Sequence, residues 1–254
     1  GDVETLWSQH WLFLGEVDRA LLHSEEAIAT LPEDDVFVRG LALATHANAL
    51  NLAGRHHEGV ALLQAQLDAE PSDSDGRIRI LVGLGALYLL AGDLTKAIET
   101  ARLALTLSAS RQRLNSVAWA HYLLGRGLLY RNDLEAALEH FTWVVGHGYN
   151  ANGKIFHECL HGVAMVLQCL GRTDEAIDAA QRALTFAGEV LRVEDILESQ
   201  SVLVHLGLMR DEFQRPAEMG SAGHMIEAFA WSESPTLTWV RAVIATEDVH
   251  AYDV

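Results

Sequence analysis

His157-Glu158-Cys159-Leu160-His161 has the spacing H-E-x-x-H. On a helix this sets two imidazoles one turn apart, where they can hold zinc, with the Glu placed to activate a water. Among 13 His in 254 residues, a chance match is on the order of one in twenty. No third His follows at the spacing that extends the motif. Asp174 or Glu175 would have to be the third ligand, yet both fall beyond a turn, at the start of the next helix. Leu160 and Val163 supply core positions that account for the helix without a metal. The reading is therefore a structural coincidence, with no metal and no cofactor assigned.

Other catalytic signatures are missing. There is no phosphate-binding GxxxxGK[ST], no GxGxxG and no GxSxG,. Gly83-Leu84-Gly85 and Gly125-Arg126-Gly127 lie inside helical stretches and are not phosphate loops. Cys159 and Cys169 lack CxxC spacing; on one helix, ten residues separate them by ~15 Å, too far for a disulfide. A reducing cytoplasm fits this usage. The expectation is a protein that is not an enzyme.

Composition narrows the partners. The 18 Lys+Arg against 35 Asp+Glu give a net charge of −17. Affinity for phosphate backbones is carried by clustered cations, so direct contact with nucleic acid is not expected, nor is an anionic membrane surface. The longest apolar run, Val82 to Ala91, is about half of what a membrane helix needs. The acidic start Gly1-Asp2-Val3-Glu4 has no leader shape. It also lacks Met, which reads as a piece of a longer protein.

The elements that position these residues repeat. Gly15, Gly54, Gly92, Asn132 and Gly171 stand in similar turn segments, spaced 39, 38, 40 and 39 residues apart. Gly and Asn tolerate the left-handed conformation that ends a helix, so each anchor should close one helix and open another. Five residues after each anchor lies a small one: Ala20, Gly59, Ala97, Ala137 and Ala176. Seven before lie Ser8, Ala47, Gly85, Gly125 and Ala164, again small. Four before lie Trp11, Leu50, Tyr88, Leu128 and Leu167; eight before lie Trp7, His46, Leu84, Leu124 and Val163. Small residues at matched places let helices approach, and large ones fill the space beside them. By offset Trp7 and Trp11 belong to the core, His46 and His121 are core histidines, and His56-His57 faces solvent. Pro32, Pro71 and Gly188 are placed to stop second helices.

This order of bulky, bulky, small, aromatic and turn residues resembles the tetratricopeptide repeat. The pattern covers residues ~2 to 190, with Glu4 standing where the first repeat should open on a bulky residue. The period of 39 exceeds the family's 34. With a connection such as Leu31-Pro32-Glu33-Asp34-Asp35, it resembles the sensor region of MalT-like, ATP-dependent transcriptional regulators of the LuxR family. The resemblance implies an all-α superhelical solenoid: five antiparallel helix pairs over 1–190, then a degenerate sixth repeat and helical cap over 191–254. Val193 to Leu208 reads as an amphipathic helix, and Met225 to Trp231 and Leu237 to Ile244 as two short ones. Terminal units of a solenoid need a polar outer face, which explains the fading pattern.

In such a superhelix the first helix of each pair lines the concave groove. The family's ligand-facing positions, thirteen, ten, six, three and two residues before the turn, map onto Asn48 and Asn51 in the second repeat and Arg79 and Ala86 in the third. The fourth gives Trp119, Tyr122, Arg126, Leu129 and Tyr130; the fifth gives Glu158, His161, Met165, Gln168 and Cys169. Aromatic, amide and Arg groups in one row look more like a binding surface than a solvated helix face. The resemblance implies a non-catalytic module that takes a small-molecule or peptide effector, or a partner protein, in this groove and controls attached ATPase and DNA-binding regions. A free-standing peptide-binding scaffold is the alternative, and a zinc hydrolase built on His157 and His161 a distant third.

Overall fold

Five anchors, five identical turns: this is how the chain makes its helix pairs. Gly15, Gly54, Gly92, Asn132 and Gly171 all have φ between 60° and 77°. In each, the amide of the following residue reaches back to the carbonyl five residues before it: Glu16 to Trp11, Arg55 to Leu50, Asp93 to Tyr88, Asp133 to Leu128 and Arg172 to Leu167, all at 2.8–2.9 Å. The anchor's own amide bonds three residues back, as in Gly54 to Asn51 at 3.0 Å. This double bond is the Schellman motif, and it needs a residue tolerant of positive φ at its centre. The acceptors of the long bond are the large residues four before each anchor, so one position both closes the helix and fills the space beside it.

The structure, a computed structural model, describes residues 1–71, 74–109, 114–148, 153–190 and 193–209. Within them the helices are α1 (Asp2–Phe13), α2 (Val17–Thr30), α3 (Val36–Leu52), α4 (His56–Ala69), α5 (Asp75–Leu90), α6 (Leu94–Ala109), α7 (Leu114–Tyr130), α8 (Leu134–His147), α9 (Gly153–Cys169), α10 (Thr173–Glu189) and α11 (Val193–Met209). The described residues contain no strand. The fold is all-α, as the periodicity requires. The sixth first-helix is present as α11, whereas the segments expected at Met225 to Trp231 and Leu237 to Ile244 lie outside the described residues.

The chain divides into two compact units, Gly1–Asp133 and Leu134–Val254. In the first, α1/α2, α3/α4 and α5/α6 form pairs, and the first helices α1, α3, α5 and α7 pack side by side. In the second, α9 packs on α8, α10 and α11. The division falls just after the turn at Asn132, between α7 and α8.

Small residues sit where helices touch. Ala20, Ala97, Ala137 and Ala176, five after their anchors, are fully buried, as are Ser8, Ala47 and Ala164, seven before. At Gly59 the approach is closest: a Cβ there would lie 2.7 Å from the Ala47 carbonyl oxygen of the partner helix. In the second unit the fully buried Phe141 ring points end-on at Gly162, where a Cβ would meet three ring atoms at 2.8 Å.

Ends of helices follow their local chemistry, with one exception. Leu31 and Glu70, each before a proline, adopt extended backbone and end α2 and α4,. Asp35 accepts the Val38 amide to begin α3, and Ser74 the Arg77 amide to begin α5,. Gly188 does not stop its helix: α10 continues through it to Glu189, because glycine weakens a helix without removing a hydrogen-bond donor, unlike proline. The first repeat also departs from its offsets. Trp7 is 45% exposed rather than core, stacked on Trp11 with ring centroids 5.8 Å apart. Glu4 accepts a 2.6 Å bond from His23 Nδ1 of α2, a polar tie where the other repeats place bulk.

Candidate functional site

The fourth repeat's first helix carries a row of four predicted site residues, and the structure brings them together. Trp119, Tyr122, Arg126 and Tyr130 lie at spacings of three and four along α7, hence on one face,. Trp119 and Tyr122 meet edge to face with centroids 5.7 Å apart. Arg126 Nη1 donates to the Tyr122 hydroxyl at 3.2 Å, and Nη2 to the Tyr130 hydroxyl at 2.6 Å. The guanidinium is thus held flat and nearly sealed at 7% exposure, while Tyr130 remains 49% exposed. Beside it opens a cleft of about 380 Å³ lined by Leu89, Leu90, Gly92, Leu94, Arg126 and Tyr130. Its walls are apolar apart from the arginine and the tyrosine, the composition of a site that grips one polar group and covers the rest.

Arg79 stands on α5, seven repeat positions from the level of Arg126. Its guanidinium stacks over the Phe37 ring at 4.3 Å, and its buried Nε has no protein acceptor. Burial alone pulls its pKa below the usual arginine value. On α3, Asn48 donates to the Ala44 carbonyl at 2.9 Å and leaves its buried Oδ1 without a partner. Asn51 Oδ1 bonds His56 Nδ1 at 2.8 Å, so His56 is half-buried while His57 faces solvent. His46, expected in the core, bonds Ser24 Oγ at 2.8 Å, and burial lowers its pKa.

In the second unit the predicted residues have different company. Glu158 and His161 do not line an open surface. Both are buried against α11, together with His157. The His157 and His161 Nε2 atoms lie 2.8 and 3.1 Å from Ser199 Oγ, which itself donates to the Asp195 carbonyl at 2.8 Å. Lys154 Nζ sits among three carboxylates: Glu158 at 2.8 Å, Asp195 at 3.0 Å and Glu198 at 3.4 Å. Burial opposes the ammonium, but the carboxylates outweigh it and push its pKa up. Burial pulls His157 down to about 3, assisted by the neighbouring His161. It pushes Glu158 up, with the Glu198 charge adding to the effect. Glu198 is held low, because the facing His161 ring and the Lys154 charge overcome its burial. Gln168, two turns beyond His161 on α9, is half-buried with its Oε1 unpartnered.

The carboxylate that approaches the two histidines is Glu198, not Asp174 or Glu175. Asp174 is exposed, and Glu175 is exposed and paired with Arg172 at 2.6 Å. Reading along the chain missed Glu198 because it is a full helix pair away. A signal was present nonetheless: Asp195, Glu198, Ser199, Val202 and Leu206 form the buried stripe of α11, and its first half is polar. Cys159, also on α9, is buried with its thiol pKa raised by that burial, and both cysteines are free.

Helix pairs closed by a repeated turn, with first helices side by side, define a tetratricopeptide-like helical repeat protein. The family model of the MalT-like TPR region matches residues 1–234, and the chain belongs to that family. Solved structures agree on the fold. BtubC (BKLC) from P. vanneervenii is 16% identical, with a TM-score of 0.64 over 94% of both chains. The Rap protein complexed with Competence and Sporulation Factor is 12% identical, with a TM-score of 0.59 over 98% of this chain and 78% of its own. The nearly identical TPR-like repeats of a kinesin light chain from Podosopora anserina are 19% identical, with a TM-score of 0.52 over 75% of this chain and 96% of theirs. No curated protein matches the sequence.

Proposed function

We propose that this chain is the signal-receiving module of a MalT-like transcriptional regulator, without catalytic activity of its own, and that its effector binds across the first helices α3, α5 and α7. The observation that carries this is Arg79. In a protein of net charge −17, a half-buried guanidinium is held on a phenyl ring with one N–H unmatched. An anion supplied from outside removes that desolvation penalty with a charge-assisted bond.

The cleft beside Arg126 and Tyr130 is the second half of the site. Arg79 and Arg126 are offset by seven repeat positions, roughly 10 Å along the helix axes, and stand on neighbouring helices. An effector that uses both is extended, on the scale of a short peptide. The half-buried ring of Trp119 supplies flat contact beside them,. That the Rap fold neighbour holds Competence and Sporulation Factor supports a protein or peptide signal over a small metabolite.

The parent reading frame tests the regulatory half of this proposal. A P-loop region upstream and a helix-turn-helix downstream are expected. A frame without either would favour a free-standing binding scaffold, for which Asn48 and Asn51 would supply main-chain amide contacts.

A further inference from the structure

Between α9 and α11 the second unit buries three carboxylates. Glu158, Asp195 and Glu198 stand around the ammonium of Lys154, which keeps about a fifth of its side chain exposed. Charges so placed must be compensated locally.

Beside them, His157 Nδ1, His161 Nδ1 and Glu198 Oε1 are buried without a hydrogen-bond partner. Ser199 has one hydroxyl hydrogen, and it points at the Asp195 carbonyl. Both imidazoles then bond Ser199 Oγ as donors through Nε2–H,. In the neutral ring this leaves a lone pair at each Nδ1, and neither Nδ1 has a protein hydrogen-bond partner. His161 Nδ1 instead faces Glu198 Oε1 at 3.7 Å, and that oxygen is also without a hydrogen-bond partner. Two acceptors pointed at each other across such a gap call for a cation between them.

We propose that His157, His161 and Glu198 hold a divalent transition-metal cation, zinc by its ligand preference, as a structural clamp between α9 and α11. Ligand atoms of the three side chains lie within 4.8 Å of one another. Two donors, each about 2.0–2.2 Å from a tetrahedral zinc, stand roughly 3.4 Å apart, so the 3.7 Å between His161 and Glu198 closes with a shift of a few tenths of an ångström. A divalent charge would also offset the buried carboxylate of Glu198,. The Nε2–H bonds to Ser199 fix both rings, the usual outer support of metal-bound histidines.

The site is not hydrolytic. Glu158, the residue that would activate water in H-E-x-x-H chemistry, is turned to Lys154 at 2.8 Å. His157 and His161 are 0% exposed and Glu198 4%, which leaves a substrate no approach.

The test is metal uptake by the full chain. Protein stripped with chelator, given zinc chloride and dialysed against metal-free buffer, should retain close to one zinc per chain. His161→Ala should fall below a tenth of that. His23→Ala, which disrupts the partly buried group of Glu4, His23 and Glu26, should retain it. X-ray absorption on the wild-type protein, which needs no variant to fold, should show two imidazole ligands on the zinc. Absence of retained zinc, retention lost with His23 instead of His161, or zinc bound without imidazole would each overturn the proposal.

Discussion

Tyr130 accepts a 2.6 Å hydrogen bond from Arg126 Nη2, one helical turn earlier on the same face of α7. The half-exposed phenol thereby holds the inner guanidinium, and the pair forms one wall of the cleft next to Leu89 and Leu90. Tyr130→Phe removes the acceptor and keeps the ring. It should lower stability by ~0.5–1.5 kcal/mol, read by urea denaturation. A change below that range would mean that the hydroxyl does not hold the arginine.

Close approach of α3 and α4 depends on Gly59. A methyl group there would stand 2.7 Å from the Ala47 carbonyl oxygen, and a backbone atom cannot swing aside as a side chain can. Gly59→Ala should therefore destabilise by ~1–3 kcal/mol, although alanine is the better helix former by about 1 kcal/mol. A stabilised variant would show that the two helices can part freely.

In chelator-stripped protein, acid should weaken the second unit. Burial pulls the His157 pKa from 6.5 to about 3. Between those values the unfolded chain binds a proton that the folded chain excludes, so stability falls as pH drops below 6.5, by up to about 1.4 kcal/mol per pH unit. Comparing pH 7 with pH 5 keeps clear of most carboxylate titration. His157→Gln should flatten this part of the profile, and an unchanged slope in the variant would place the titration elsewhere.

Asp35 begins α3 by accepting the Val38 amide at 3.2 Å, at the end of the long connection from α2. Asp35→Ala should cost ~1 kcal/mol. Asp35→Ser, which restores an acceptor, should recover most of it in thermal denaturation.

Much of the fold was legible because the repeat fixes turn, small and large positions independently. Gly15, Gly54, Gly92, Asn132 and Gly171 announce their turns through a backbone requirement that few residues meet. Trp7 misled because its offset is a core offset only where a preceding first helix covers it, and none of the described helices does. Gly188 misled because glycine disfavours a helix without forbidding it.

The candidate site was legible where it lies along one helix. Trp119, Tyr122, Arg126 and Tyr130 share a face by spacing alone. Glu158 and His161 have the same repeat offsets in the fifth unit, but α11 brings Asp195, Glu198 and Ser199 against them. Offsets describe where a side chain points within its repeat; what meets it comes from the next first helix, whose polar stripe follows no repeat rule. Phe37 under Arg79 is another such contact, made between neighbouring helices by two residues that share no motif.

The central claim is that the first-helix face around Arg79 and Arg126 receives an anionic effector. The direct measurement is a thermal-shift and calorimetric titration of the wild type, Arg79→Ala, Arg126→Ala and Arg126→Lys with short acidic peptides bearing a free C-terminal carboxylate. The wild type should be stabilised by members of this panel. Arg126→Ala should lose roughly 2–5 kcal/mol of affinity, and Arg126→Lys should still bind measurably worse, since it keeps the charge but loses the paired donors. Equal binding by all four proteins, each with its helical circular dichroism intact, would contradict the account.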